Sequence, residues 1–165
     1  MTSDLSPHTL PNPNIQSTAT HTNDTHSKLI GYLLWIFGFT GSHRFYYGKP
    51  ISGTIWLCTF GLLFIGWFVD LFLIPSMDRK ADLRFKAGHV DYSLGWILLT
   101  FLGAFGAHRF YMGKIVTGFL YLITTGLVFI GFFPAGALVL IALLFDFWTL
   151  NSQISKVNRK KAAGV

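Results

Sequence analysis

Residues 38–49, Gly38-Phe39-Thr40-Gly41-Ser42-His43-Arg44-Phe45-Tyr46-Tyr47-Gly48-Lys49, return 65 positions later as Gly103-Ala104-Phe105-Gly106-Ala107-His108-Arg109-Phe110-Tyr111-Met112-Gly113-Lys114, with eight of 12 positions identical. Shared apolar composition would match Leu and Phe, but it would not reproduce His-Arg-Phe-Tyr-x-Gly-Lys. The chain therefore carries an internal duplication. The register continues through Gly53 with Gly118, Thr59 with Thr124, and Gly61-Leu62 with Gly126-Leu127. An 11-residue insertion containing Pro134 then restores it, so that Asp70 corresponds to Asp146.

Around these two linkers the chain is almost free of charge. Uncharged runs of 14, 20, 16 and 31 residues separate Lys28 from His43, Lys49 from Asp70, Asp91 from His108 and Lys114 from Asp146. The 165 residues are 52% apolar and only 12% charged, against roughly 25% charged in a soluble domain. A solvated surface cannot be built from this, and an integral membrane protein can.

About 20 helical residues cross a hydrocarbon layer ~30 Å thick. The second run meets that length unaided. The first and third span only if His43, Arg44, His108 and Arg109 continue their helices and snorkel toward the interface, with a re-entrant hairpin as the alternative. The fourth run is too long for one crossing and is expected to break at Phe133-Pro134-Ala135-Gly136, because Pro removes a donor and clashes with the preceding turn. Beyond it, residues 137–150 bend along the surface, pack as a half-helix or cross back. The expected fold is an all-α integral membrane protein with four transmembrane helices arranged as two parallel tandem helix-pair repeats. Its units are a disordered tail at 1–27, a first copy at 28–76, a polar connector at 77–92, a second copy at 93–150 and a basic tail at 151–165.

The Gly-x-x-Gly-x-His-Arg-Phe-Tyr-x-Gly-Lys linker, followed by a Gly-interrupted helix ending in Asp, resembles the two-transmembrane (TM-2) domain family. In that family two helices flank a short linker with an Asp/His-Arg-Phe core. The resemblance covers residues 29–76 and 93–150 and implies architecture and membrane residence, with no enzyme activity. The Pro134 insertion departs from the family pattern.

The candidate functional residues are the linker side chains His43, Arg44, Phe45, Tyr46 and Lys49 and their repeats His108, Arg109, Phe110, Tyr111 and Lys114. As an interfacial turn they supply an aromatic belt and headgroup-facing lysines. As a site, Arg44 and Arg109 offer bidentate donors to a lipid phosphate or an acidic partner. Asp70 and Asp146 are the acids within or bordering the apolar runs, and in a straight helix Asp70 lies ~32 Å from Lys49, near Lys28. The alternative function is a small ion or proton channel or carrier using Asp70 and Asp146. A third reading is a bis-histidine cofactor site at His43 and His108.

Catalytic and cofactor signatures are missing: there is no phosphate loop, paired-Cys ligand set or nucleophile elbow. The expectation is thus a non-enzymatic protein without cofactor or metal. The net charge of +6 comes from Lys and Arg placed between apolar runs and in the tail at Lys156, Arg159, Lys160 and Lys161. That pattern excludes a nucleic-acid footprint and fits the positive-inside rule. With four spans, it puts both termini in the cytoplasm and both linkers outside. The expected partners are membrane lipids, with a homo-oligomer or a membrane-protein partner possible, and the expected location is a multi-pass position in a bacterial inner or plasma membrane. Cys58 reads as a small buried hydrophobe. His8, His21 and His26 sit in the tail, where nothing fixes them for metal binding.

Overall fold

The structure is a computed structural model that describes residues 24–37 and 41–164. Among the described residues it is all-helical: α1 Lys28–Phe37, α2 Ser42–Tyr46, α3 Pro50–Leu63, α4 Ile65–Arg84, α5 Tyr92–Leu102, a 3-10 turn at Gly103–Phe105, α6 Ala107–Tyr111, α7 Ile115–Phe129 and α8 Pro134–Ala162. Local signals account for the starts. Pro50 and Pro134 open α3 and α8 at their first turns, where a missing N–H costs nothing. Asp91 caps α5 by accepting from the Leu94 N–H at 2.8 Å.

Each repeat uses the same device twice: an apolar helix leaves a polar layer and the chain comes back to it. After α1 the backbone returns through Gly41 to α2, so that Tyr46 Oη accepts from the Ser27 N–H at 2.6 Å. After α3 it reverses at Phe60–Phe64, where five consecutive residues have φ between 49° and 69°, and α4 runs back against both α3 and α1. Trp35 and Trp67 stack 4.1 Å apart, and each indole N–H donates to the other's backbone carbonyl. In the second repeat α7 ends at Phe129, Gly131 takes φ +93°, and α8 starts at Pro134 and returns along α5. The expected break at the proline is therefore where it occurs.

The 20-residue run after Lys49 does not form a straight crossing; the reversal at Gly61 folds it into a hairpin. Among the described residues one helix, α8, is long and apolar enough to cross a membrane, while the other apolar helices have 10–17 residues. The linkers and connector also lie in one layer, where the run lengths placed them a membrane's thickness apart. Tyr46 Oη is 2.7 Å from Ser93 Oγ, Arg84 donates to the Gly48 carbonyl at 3.0 Å, and the Asp91 N–H donates to Tyr111 Oη at 2.9 Å. The connector forms no separate helix. Its first half extends α4 to Arg84, and the chain then runs without helix to Asp91.

The repeats dock through α8. Asn151 donates to the Phe45 and Tyr46 carbonyls and accepts from the Trp96 indole at 2.6 Å, and Asn158 brackets the Val90 N–H and carbonyl at 2.7 and 2.9 Å. Phe147 packs edge-on against Phe45 and Trp96. Around these sit the buried Leu34, Leu99, Leu150 and Ile154.

Two further expectations change. Cys58 is exposed on the apolar layer rather than buried, since α3 presents that face outward. The tail does not extend to residue 27: Thr25 and His26 are buried, with the His26 ring 4.7–5.2 Å from those of Tyr46, Phe85 and Tyr92. His8 and His21 lie outside the described residues.

Gly41 and Gly106 make the turns into α2 and α6 with φ of +75° and +73°. A Cβ at Gly106 would stand 2.9 Å from the Gly118 carbonyl oxygen and 2.8 Å from Tyr121 Cβ, whereas at Gly113, also left-handed, it would meet nothing within 4 Å. Gly106→Ala is expected to cost about 2–4 kcal/mol and Gly113→Ala about 1 kcal/mol. Thermal unfolding in detergent, followed by circular dichroism, checks the difference; equal losses would refute the close-approach account.

Candidate functional site

The returning helices bring each acid to its own linker. In the first repeat Asp70 is fully buried and takes a hydrogen bond from His43 Nε2 at 2.7 Å, one from Arg44 Nε at 2.7 Å and one from the second Arg44 nitrogen, Nη2. The Arg44 guanidinium also lies 3.5 Å above the Trp56 ring. The second repeat builds the same centre: His108 Nε2 and Arg109 Nε lie 2.7 and 3.0 Å from Asp146 Oδ2, and Arg109 Nη2 bonds Oδ1. A bidentate guanidinium on a carboxylate is the strongest ordinary ion-pair geometry, and it makes burial of the charge tolerable.

The copies differ in what surrounds the acid. Tyr121 stands where the first copy has Trp56, and its hydroxyl donates to Asp146 at 2.7 Å. Gln153 adds a bond at 2.9 Å and is held by Thr149 and by the Lys114 ammonium. In the first copy Trp56 Nε1 is buried with no partner among the described residues. Asp146 thus has donors from four side chains and Asp70 from two. In both copies the remaining histidine nitrogen, Nδ1, is buried with no hydrogen-bond partner among the described residues.

These centres bring together the two groups of residues that the sequence singled out separately. Asp70 sits beside Arg44, and not at the far end of a straight helix, because α4 turns back. His43, Arg44, Phe45 and Tyr46 are buried, so direct headgroup contact by Arg44 is replaced by its pair with Asp70. His108 is also buried, while Arg109, Phe110 and Tyr111 are half-buried, as are Lys49 and Lys114 at the polar edge.

A second polar cluster, at the entry to α1, escaped the sequence reading. Asp82 Oδ1 accepts from the Thr25 N–H and hydroxyl and from the His26 N–H at 2.9–3.0 Å. Burial pushes the His26 imidazole down to about 4, outweighing Asp82, so the ring is neutral near pH 7. Burial, reinforced by Asp82, pushes the Asp78 carboxyl up to about 6. The four-residue α-helical spacing of Asp78 and Asp82 was the available signal.

The TM2 domain family model matches residues 24–72 and 88–148, and the chain belongs to that family. It is similar to two TM2 domain-containing proteins of Dictyostelium discoideum. One is 54% identical over 62 residues, covering 37% of this chain and 40% of the relative; the other is 57% identical over 47 residues, covering 28% and 34%. The chain thus matches well under half the length of these relatives, and their source lends no support to a bacterial origin. No solved structure matches it.

Removing one member of a buried pair leaves an uncompensated charge and costs about 3–5 kcal/mol. Arg44→Met is expected to reach that range and Arg109→Met to fall below it, because Tyr121 and Gln153 still hold Asp146. Arg44→Met/Asp70→Leu should recover most of the loss, and melting temperatures of the four proteins decide it. The raised Asp78 carboxyl has the opposite sign to a salt-bridged acid. It favours the folded state while protonated, and that contribution is lost as pH rises from about 4 through about 6. Asp78→Asn should therefore raise the melting temperature more at pH 7.5 than at pH 4.5.

Proposed function

We propose that the chain is a non-enzymatic membrane protein whose basic layer sits on anionic lipid headgroups while its apolar helix ends enter the hydrocarbon. The observation that carries this is the segregation of charge along the molecule. All 13 Lys and Arg lie in the α1 start, the two linkers, the α4 end with its connector, and the α8 end, segments that the hydrogen bonds above join into one layer. At the other end stand Phe37, Leu63, Ile65, Phe129, Ile130 and Phe133, large apolar side chains all more than half exposed. A soluble protein does not leave such a surface to water.

In this reading the apolar runs enter the membrane and return, in place of four straight crossings. The α1 helix, ten residues long, reaches about 15 Å, half the hydrocarbon thickness. The Arg-Asp centres hold each linker at the boundary. The exposed cations then act on the leaflet, each contributing about 1 kcal/mol near an anionic surface. Lys156, Arg159, Lys160 and Lys161, projecting beyond the core on α8, supply the densest patch.

Single cysteines at His89, Gly113 and Ala162 in a Cys58→Ser background are expected to react alike with an impermeant thiol reagent in sealed proteoliposomes. Labelling of Gly113 on the side opposite His89 would overturn the one-face arrangement. Replacing the four α8 cations with Gln should lower co-purified anionic lipid several-fold without lowering the melting temperature.

A further inference from the structure

The entry to α1, the polar end of α4 and the start of α5 enclose an open pocket of about 640 Å³ at the basic layer. Four of the seven Asp in the chain line it: Asp24, Asp78, Asp82 and Asp91. Among the described residues, Lys28 and Arg79 stand against them. The pocket is an acidic island in a face that is otherwise strongly positive.

Asp78 marks the pocket as more than a solvated acidic surface. The residue is only 6% exposed, and among the described residues its Oδ1 has no hydrogen-bond donor. A buried carboxylate oxygen in a folded protein ordinarily has a partner, and a missing one asks for an N–H or a cation from outside. The neighbouring Asp82 does not compete for such a group with its Oδ1, which already holds the Thr25 N–H, the Thr25 hydroxyl and the His26 N–H. Those three bonds tie the entry segment to α4 one turn from Asp78, and His26 is locked in turn by Tyr46, Phe85 and Tyr92. The site is therefore built before anything enters it.

Among the described residues no group of three His, Cys, Asp or Glu side chains is arranged to hold a metal ion. A cation that brings its own donors fits better than one that needs a converging shell of oxygens. We propose that this pocket binds a primary ammonium group, and specifically the ammonium of an aminophosphate such as ethanolamine phosphate. The ammonium meets Asp78 at the floor, within reach of Asp24 and Asp91, and the phosphate lies against Lys28 and Arg79. A primary ammonium offers three N–H donors on one charge; a quaternary ammonium offers none, so Asp78 Oδ1 stays unsatisfied.

The same chemistry occurs on an aminophospholipid headgroup and on a free amine. Leu29, 75% exposed, and Pro75 form an apolar rim to the pocket, as a glycerol and acyl chain would require. Only the assignment to lipid rests on the membrane reading; the ammonium site stands without it.

The test uses the full-length chain in phosphatidylcholine nanodiscs, titrated with ethanolamine phosphate, ethanolamine and phosphocholine and followed by calorimetry. Ethanolamine phosphate is expected to bind saturably and phosphocholine at least tenfold more weakly. Asp78→Asn should weaken ethanolamine phosphate about tenfold, a loss of one charge-assisted bond, while its melting temperature is equal to or above that of the parent. Equal affinity for the two headgroups, an unaffected Asp78→Asn variant, absence of binding by any of the three, or displacement of ethanolamine by stoichiometric Mg²⁺ or Ca²⁺ would overturn the proposal. A second arm incorporates phosphatidylethanolamine and reads retained lipid by native mass spectrometry. Retention lost in Asp78→Asn assigns the site to the lipid. Calorimetric binding without retention keeps the ammonium site and overturns its lipid assignment. Opposite-side labelling at Gly113 would remove the one-face membrane reading and leave the calorimetric result intact.

Discussion

A carboxylate that enters an apolar layer has to bring its countercharge with it, and in this chain that requirement sets the path of the backbone. Asp70 and Asp146 each sit on a helix that comes back from the apolar end, and each meets a His-Arg pair on a linker that has also come back. Straighten either hairpin and the pair separates by far more than a side chain can reach. The two ion-pair centres therefore fix the depth of the linkers and the direction of α4 and α8 together.

The glycines follow from that constraint. For the linker to pack against the outgoing helix, α3 or α7, the turn before it must be left-handed and nearly without side chain, which Gly41 and Gly106 supply. Gly53 and Gly118 then let the linker phenylalanines Phe45 and Phe110 lie on the helix backbone, where a Cβ would stand 2.7 Å from the ring. The repeats diverge around this shared frame. The first shields its pair with Trp56 stacked on Arg44; the second opens its pair to Tyr121, Gln153 and Lys114. The first linker is covered by α8 through Asn151, while the second faces the basic edge.

Layering of charge gives the molecule its polarity as a whole. Every helix end that carries Lys or Arg belongs to one layer, and every reversal that carries exposed Phe, Leu and Ile belongs to the other. The entry segment adds a departure from this pattern. Between Asp24 and Asp91 the basic layer turns acidic, and Asp78 Oδ1 is buried there with no donor among the described residues, while burial and Asp82 push the carboxyl up to about 6.

Composition and repetition determined a good deal unaided. The scarcity of charge excluded a solvated surface, the 65-residue register located the two linkers, Pro134 marked the break before α8, and the linker motif resembled the family to which the chain belongs. What run lengths misplaced was the third dimension. Counting uncharged residues treats an apolar run as a straight rod, so it carried Asp70 to the far side and put linker and connector on opposite faces. The reversals at Gly61 and at Gly131 depend on the backbone conformation of a few residues, and the acid-linker pairing joins positions 26–38 apart. The burial of His26 likewise rests on rings contributed by a linker, a connector and α5. Such pairings leave no periodicity in the sequence; they exist only once the helices have turned back and packed.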